Sequence, residues 1–227
     1  MTESAGSTYH DSEAAGDLAE IEDRLSAIGG LSLDKLQKAV RAGLAARASR
    51  TAFAPINAQG TDLYSHTVEE LRLTLSRDKW EPVTVSGQER VESPDGRFAI
   101  MVATGDGNVG RVGGQPRNAH GKGPLLREVV VANRESIQAG LFPLEEIAPA
   151  VQRPRQDVAQ MVYILLLQVE DGHLYMELSL PDEIDSTGRV RSWFDQIRLP
   201  SISLGSLVRI DPGQPGSTEI DITIERA

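Results

Sequence analysis

The chain has 227 residues, of which 40% are hydrophobic and 25% are charged, with a formal net charge of -10 and no cysteine. The lack of cysteine excludes disulfides, thiolate metal ligands and cysteine nucleophiles, and the acidic balance argues against bulk electrostatic binding to DNA or anionic membranes. The N-terminus lacks the apolar core of a secretory signal, and the longest apolar run, residues 161–167, is too short to span a bilayer. We therefore expect a cytoplasmic protein with no membrane partner. Arginine far outnumbers lysine, which is typical of a GC-rich bacterial genome.

The N-terminal part of the chain predicts a disordered tail followed by a helical hairpin. Residues 1–16 are rich in Ser, Thr, Gly and acids, which favours disorder. Apolar residues then recur at helical spacing over 17–50, with Asp17 as the first cap, a break at the Gly-Gly pair 29–30, and a second helix after Ser32. Two helices of this size have to pack on something else, so we expect them to contact the main domain or to mediate protein binding or self-association.

We assign residues 51–227 to a single α+β domain. Residues 51–64 form a predicted connector, and Thr67 opens a third helix through a capping box with Glu70. Strands are predicted over 83–92 and 97–104, because a Ser-Pro-Asp-Gly turn at 93–96 separates them. Trp80 and Trp193 are expected to pack in or near the core.

Residues 105–127 carry the most informative composition of the chain. This segment holds seven glycines, two prolines and four basic side chains against one acid, Asp106. A basic, glycine-rich loop in an acidic protein can bind an anion through backbone amides and cationic side chains. The candidate anion-binding residues are Arg111, Arg117, His120, Gly121, Lys122, Gly123 and Arg127. The alternative interpretation is a flexible hairpin loop with solvated charges.

This loop contains partial matches to two nucleotide-binding motifs, and neither match is sufficient to predict a nucleotide site. Residues 105–110 match GxGxxG, yet no helix follows directly and the sequence predicts no βαβ unit, so a dinucleotide site is not expected. The Gly-Lys-Gly element at 121–123 lacks the first glycine and the Ser or Thr of a P-loop.

The C-terminal part predicts mostly strands. Pro124 and Gly140 fit the ends of a helix, although three consecutive valines also allow a strand at 127–132; we favour the helix. Further strands are expected over 158–170, 173–180, 189–199, 206–210 and 219–226. Short links between them favour an antiparallel meander. The expected fold is α+β, with N-terminal helices followed by a mainly antiparallel sheet and one or two additional helices.

Two functions are consistent with these patterns. The first is a non-enzymatic bacterial accessory protein that presents the basic loop to phosphate, a nucleotide, a nucleic acid or another anionic partner. The second is a metal-dependent nuclease or phosphoesterase that uses Asp95 and Asp106 of the central acid cluster together with Lys122. The four histidines are scattered, so no metal site is predicted, and no cofactor is expected. The missing catalytic constellation favours the accessory protein.

Overall fold

The structure, a computed structural model, describes residues 6–119, 123–141 and 160–206. Within these ranges the chain forms four α-helices, six β-strands and a short 3₁₀ helix. The helices are α1 (Gly6–Ala27), α2 (Leu33–Ala48), α3 (Ala58–Ser76) and α4 (Gly123–Leu141), and the 3₁₀ helix is Leu204–Ser206. The strands are β1 (Glu81–Val85), β2 (Gln88–Glu92), β3 (Phe98–Thr104), β4 (Met161–Glu170), β5 (His173–Ile184) and β6 (Val190–Ser203).

All six strands belong to one sheet in the order β1-β2-β3-β4-β5-β6. Every neighbouring pair is antiparallel except β3 and β4, which run parallel, with Phe98 opposite Met161 and Thr104 opposite Leu167. The predicted α+β class with a mainly antiparallel sheet is confirmed. The expectation that no βαβ unit exists is wrong, because α4 lies between β3 and β4 in the chain and the two strands pair in parallel. The intervening loops hid this crossover in the sequence.

Helices α1, α2 and α3 cover one face of the sheet. Alternate residues of the central strands, among them Ile100 and Leu165, join Leu25, Leu36 and Leu71 of the helices in one hydrophobic cluster. The N-terminal helices therefore share their core with the sheet, which is one of the two arrangements expected from their size.

Two predicted helix starts are wrong. Helix α1 begins at Gly6, so Asp17 is not its cap, and residues 6–16, which we expected to be disordered, are helical. Helix α3 begins at Ala58 within the predicted connector, and the side chain of Thr67 is buried inside it. The capping-box pattern was misleading because Leu63 extends the buried face of α3 one turn toward the N-terminus. The start of α2 after Ser32 is confirmed, with the Ser32 hydroxyl accepting from the backbone N–H of Lys35.

Helix α4 packs on the other face of the sheet. Leu126 and Val129 of α4 join Met101, Ile164 and Leu166 in a second hydrophobic cluster. The preference for a helix over a strand in this segment is confirmed. The three consecutive valines fit a helix because Val129 and Val130 are buried while Val131 faces outward.

The strand boundaries agree with the predicted ones in some places and differ in others. The Ser-Pro-Asp-Gly turn is confirmed, with β2 and β3 on either side of it. The predicted strand 83–92 is two strands, which reverse at residues 86–87. Strands β5 and β6 are longer than expected, and irregular pairing around Pro181 bends their hairpin. The predicted strand 219–226, and residues 207–210 of another, lie outside the described residues.

Candidate functional site

Residues 105–119 of the glycine-rich loop pack onto the sheet directly after β3. Gly105 forms an isolated antiparallel bridge with Asn118, and the Ala119 N–H donates to the Thr104 carbonyl at 2.8 Å. Val109, at the centre of the loop, is 0% exposed and belongs to the α4-side cluster. A Cβ at position 105 would lie 2.2 Å from Val109 Cγ2, so only glycine permits this packing.

A buried carboxylate on β5 binds the backbone of the glycine-rich loop. Glu177 of β5 is 1% exposed and accepts from the Gly110 N–H at 3.0 Å, the Ser179 hydroxyl at 2.6 Å and the Gln196 amide at 2.9 Å. It forms no ion pair within the described part of the chain. Sequence analysis did not single out Glu177, because the alternation of residues along β5 predicts that this side chain faces solvent.

Arg111, a predicted anion ligand, is engaged elsewhere in the fold. Its guanidinium forms an ion pair with Glu170 at 3.0 Å and lies 3.9 Å from the ring centroid of Tyr175. The hydrogen bond to Glu170 raises the pKa of Arg111, and the same contact compensates its charge. We therefore exclude Arg111 from the candidate site.

The bent end of the β5–β6 hairpin packs against the end of the glycine-rich loop. The Asn118 amide donates to the Gly188 carbonyl at 3.3 Å and accepts from the Val190 N–H at 2.8 Å. The Trp193 indole donates to the Pro116 carbonyl at 3.0 Å. These bonds hold the hairpin turn, residues 185–188, beside residues 117–119.

Three arginines surround this contact, and we call Arg117, Arg127 and Arg189 the basic cluster. Arg127 donates to the carbonyls of Asp185 and Ser186, each at 3.4 Å, and Arg189 donates to the Ala119 carbonyl at 3.2 Å. All three side chains are exposed. Within the described ranges none of them pairs with a carboxylate at ion-pair distance, so their charges are available to a ligand.

Asp185 lies beside the basic cluster, and its carboxylate accepts hydrogen bonds within the hairpin turn. It accepts from the Thr187 hydroxyl at 2.6 Å, the Thr187 N–H at 2.8 Å and the Arg189 N–H at 3.1 Å. The hydrogen bond from the Thr187 hydroxyl, with smaller contributions that include the charge of Arg117, lowers the pKa of Asp185. The carboxylate is therefore ionised at neutral pH and fixes the turn that carries Arg189.

The structure brings together only part of the predicted anion site. Arg127 contacts the hairpin turn at Asp185, and the charge of Arg117 acts on the same residue. Gly123 is the first residue of α4, and Arg189 reaches Ala119 from the β5–β6 hairpin, a position that sequence analysis missed. No local motif marks Arg189, since it lies 70 residues from Ala119 along the chain. His120, Gly121 and Lys122 lie outside the described residues.

The acids of the alternative catalytic site do not come together. Asp95 precedes β3 and Asp106 follows it, so the length of a seven-residue strand, about 20 Å, separates them. Asp95 accepts from the Ser93 hydroxyl and the Arg97 side chain, and Asp106 accepts from the backbone N–H groups of Asn108 and Arg117. In the described part of the chain, no group of three His, Asp or Glu side chains is placed to hold a metal ion.

Comparison of the chain with protein-family models, curated protein sequences and solved structures found no match. Among the helices that the structure describes, none combines the length and the apolar character needed to cross a membrane. Any functional assignment therefore depends on the geometry of the basic cluster.

Proposed function

We propose that this chain is a non-enzymatic bacterial accessory protein that binds a phosphate-bearing ligand or partner at the basic cluster. The observation that carries the proposal is the convergence of Arg117, Arg127 and Arg189 from three segments, with no described carboxylate in an ion pair with any of them. In a protein of net charge -10, three exposed arginines with no ion-pair partner among the described residues make a local site for an anion.

The chemistry of the side chains favours phosphate. A guanidinium carries five N–H donors in a planar fork that matches phosphate and carboxylate oxygens. Arg127 and Arg189 each use one terminal nitrogen to bind backbone carbonyls among the described residues, which positions the guanidinium and leaves its other donors for a ligand. Helix α4 starts at Gly123, four residues before Arg127, and the positive end of a helix dipole adds to the attraction.

The proposal predicts stabilisation by phosphate compounds at low salt. A ligand present at a hundred times its Kd raises the free energy of unfolding by about 2.7 kcal/mol, which corresponds to roughly 5–10 °C in Tm for a chain of this size. Thermal unfolding is measured with inorganic phosphate, nucleotides and short oligonucleotides. The stabilisation should decrease as NaCl is raised, because the contacts are electrostatic.

A pair of variants tests the location of the site. Arg127→Ala combined with Arg189→Ala should abolish the ligand-dependent rise in Tm, whereas Arg41→Ala, which removes an exposed arginine from α2, should preserve it. No rise in Tm with any of the three ligand classes contradicts the proposal. A rise that survives in the double variant places the anion elsewhere.

A further inference from the structure

The loop between α2 and α3 exposes two large apolar side chains. Phe53 is 99% exposed and Ile56 is 103% exposed, although Leu44 and Leu63 on the flanking helices are buried. We call residues 51–57 the apolar loop. Arg47 lies beside Ile56 at the rim of a neighbouring cleft, and it has no carboxylate at ion-pair distance in the described ranges. Apolar side chains that project into water beside a cation are typical of a surface that another protein covers.

A groove of complementary character runs between α3 and β1. It has a volume of about 490 Å³, and Tyr64, Val68, Leu73 and Pro82 form its apolar lining. Leu73 is 53% exposed, which is unusual for a leucine that faces other apolar groups. Glu69 lines the same groove, and three-quarters of its side chain is exposed. The charged groups of the lining are Glu69, which lies 3.5 Å from His66 Nδ1, and the Arg72–Glu89 ion pair. Glu69 is therefore the acid of the groove that has no arginine or lysine partner among the described residues.

The apolar loop and the groove lie at opposite ends of α3. The loop directly precedes Ala58, and the groove lies along the second half of α3, so their centres are about 20 Å apart at 1.5 Å per residue. We propose that two copies of this chain associate through α3 around a two-fold axis, with the apolar loop of each copy in the α3–β1 groove of the other. A two-fold interface requires one surface to be complementary to itself, and a loop and a groove on the same helix satisfy this requirement.

Charge and side-chain size support the second copy as the occupant. Arg47 beside each loop would face Glu69 beside the opposite groove, so the interface gains two ion pairs of the same kind. The exposed residues of α3 between loop and groove include the small Thr61 and Ser65, which let two helices approach closely at the axis. Arg127 of the basic cluster belongs to α4, which packs on the face of the sheet opposite to α3.

Sedimentation equilibrium of the full chain over micromolar to millimolar concentrations tests the association. The wild type should form a dimer. Phe53→Asp combined with Ile56→Asp, and separately Leu73→Asp, should raise the dimer dissociation constant by on the order of 100-fold or more, since two-fold symmetry makes each variant disrupt both loop–groove contacts. Val112→Asp, which alters an equally exposed apolar residue in the glycine-rich loop, should leave the dimer intact. All four altered residues are exposed, and circular dichroism verifies that each variant folds.

Exchanging the charges of Arg47 and Glu69 tests whether these two residues face each other across the dimer interface. Arg47→Glu and Glu69→Arg should each weaken the dimer, and the combined variant should restore it, because only the proposed arrangement brings these two positions together. A wild type that remains monomeric throughout the range overturns the proposal, as does a dimer that neither the loop nor the groove variants weaken. The phosphate-dependent rise in Tm is independent of this result, because monomeric variants retain the basic cluster.

Discussion

At the scale of single residues, buried polar side chains determine how the loops lie on the sheet. Glu177 fixes the glycine-rich loop, and Asn118 joins that loop to the β5–β6 hairpin. Asn133 joins α4 to strands β4 and β5. Its amide donates to the carbonyls of Val162 and Pro181, each at 3.2 Å, and accepts from the Val162 N–H at 2.7 Å. A buried polar group without partners is destabilising, so each of these side chains favours one arrangement of the segments around it.

Replacing Glu177 should therefore destabilise the protein by more than a surface change does. Glu177→Ala leaves the Gly110 N–H, the Ser179 hydroxyl and the Gln196 amide without their acceptor, and we expect a loss of roughly 3 kcal/mol in the free energy of unfolding. Glu177→Gln keeps the shape and one acceptor oxygen, so its loss should be smaller, about 1–2 kcal/mol. Urea denaturation measures both variants. An alanine variant as stable as the wild type would show that these bonds do not hold the loop.

The sequence does not reveal such residues in advance. Tyr175, Glu177 and Ser179 alternate with Leu174, Met176 and Leu178 along β5, a pattern that predicts one buried and one solvated face. The polar face is covered because the glycine-rich loop folds over it, and this loop belongs to a segment more than 60 residues earlier. The role of Glu177 thus depends on a long-range contact that local periodicity does not contain.

At the scale of elements, the close packing of α2 against α3 depends on a glycine. Helices α2 and α3 approach each other at Gly43, where an added Cβ would lie 2.2 Å from Thr67 Oγ1 and 2.5 Å from the Leu63 carbonyl oxygen. The second of these atoms belongs to the backbone, so relaxation of a side chain cannot relieve the overlap. The absence of a side chain at Gly43 sets the distance between the two helices.

Gly43→Ala should lower the free energy of unfolding by about 1–3 kcal/mol, even though alanine favours a helix more than glycine does. Gly60 provides a matched control in α3, because a Cβ there meets nothing within 4 Å. Gly60→Ala should stabilise the protein by about 0.4–1 kcal/mol. Thermal unfolding of both variants at one protein concentration gives the comparison. If the two substitutions shift Tm in the same direction, α2 and α3 do not pack closely against each other at Gly43.

The sequence predicted the boundaries of helices and strands correctly where a local residue pattern is compatible with only one backbone conformation. The Ser-Pro-Asp-Gly turn and the break at residues 29–30 were located correctly, because proline and glycine restrict the backbone by themselves. The capping box at Thr67 failed because the pattern also fits the interior of a helix, where Thr67 faces the α2 contact. Whether such a residue caps a helix or packs inside it depends on a neighbouring helix.

At the scale of the whole molecule, the class of fold was predictable but the topology around the candidate site was not. Helical and alternating patterns gave an α+β protein, whereas the parallel pairing of β3 and β4 depends on how α4 crosses the sheet. This crossover places α4 on the face of the sheet opposite to α1, α2 and α3. The β5–β6 hairpin brings Arg189 to the glycine-rich loop, where it donates to the Ala119 carbonyl. Composition alone identified two of the three members of the basic cluster.

The distribution of ionised carboxylates predicts how the stability of the whole molecule depends on pH. Hydrogen bonds from Arg50 to Asp62, from Lys38 to Glu70 and from Thr187 to Asp185 are the largest causes that lower the pKa of these three acids in the folded state. A carboxyl with a lowered folded pKa binds fewer protons than the same group in the unfolded chain. Its stabilising effect is complete above the ordinary pKa, about 3.9 for Asp and 4.3 for Glu, and decreases as the pH falls toward the folded value.

The urea midpoint should therefore be insensitive to these groups above about pH 5.5 and should fall steadily between about pH 5 and pH 3. Lys38→Ala removes the main cause of the shift at Glu70, whose carboxylate lies 2.7 Å from Lys38 Nζ, so this variant should lose less stability over the acid range than the wild type. Arg41→Ala, on the same helix and without such a partner among the described residues, should follow the wild-type curve. Equal slopes for the wild type and the Lys38 variant would show that this ion pair does not contribute to acid sensitivity. A midpoint that rises as the pH falls would show that relief of repulsion among the excess acids outweighs the loss of these hydrogen bonds.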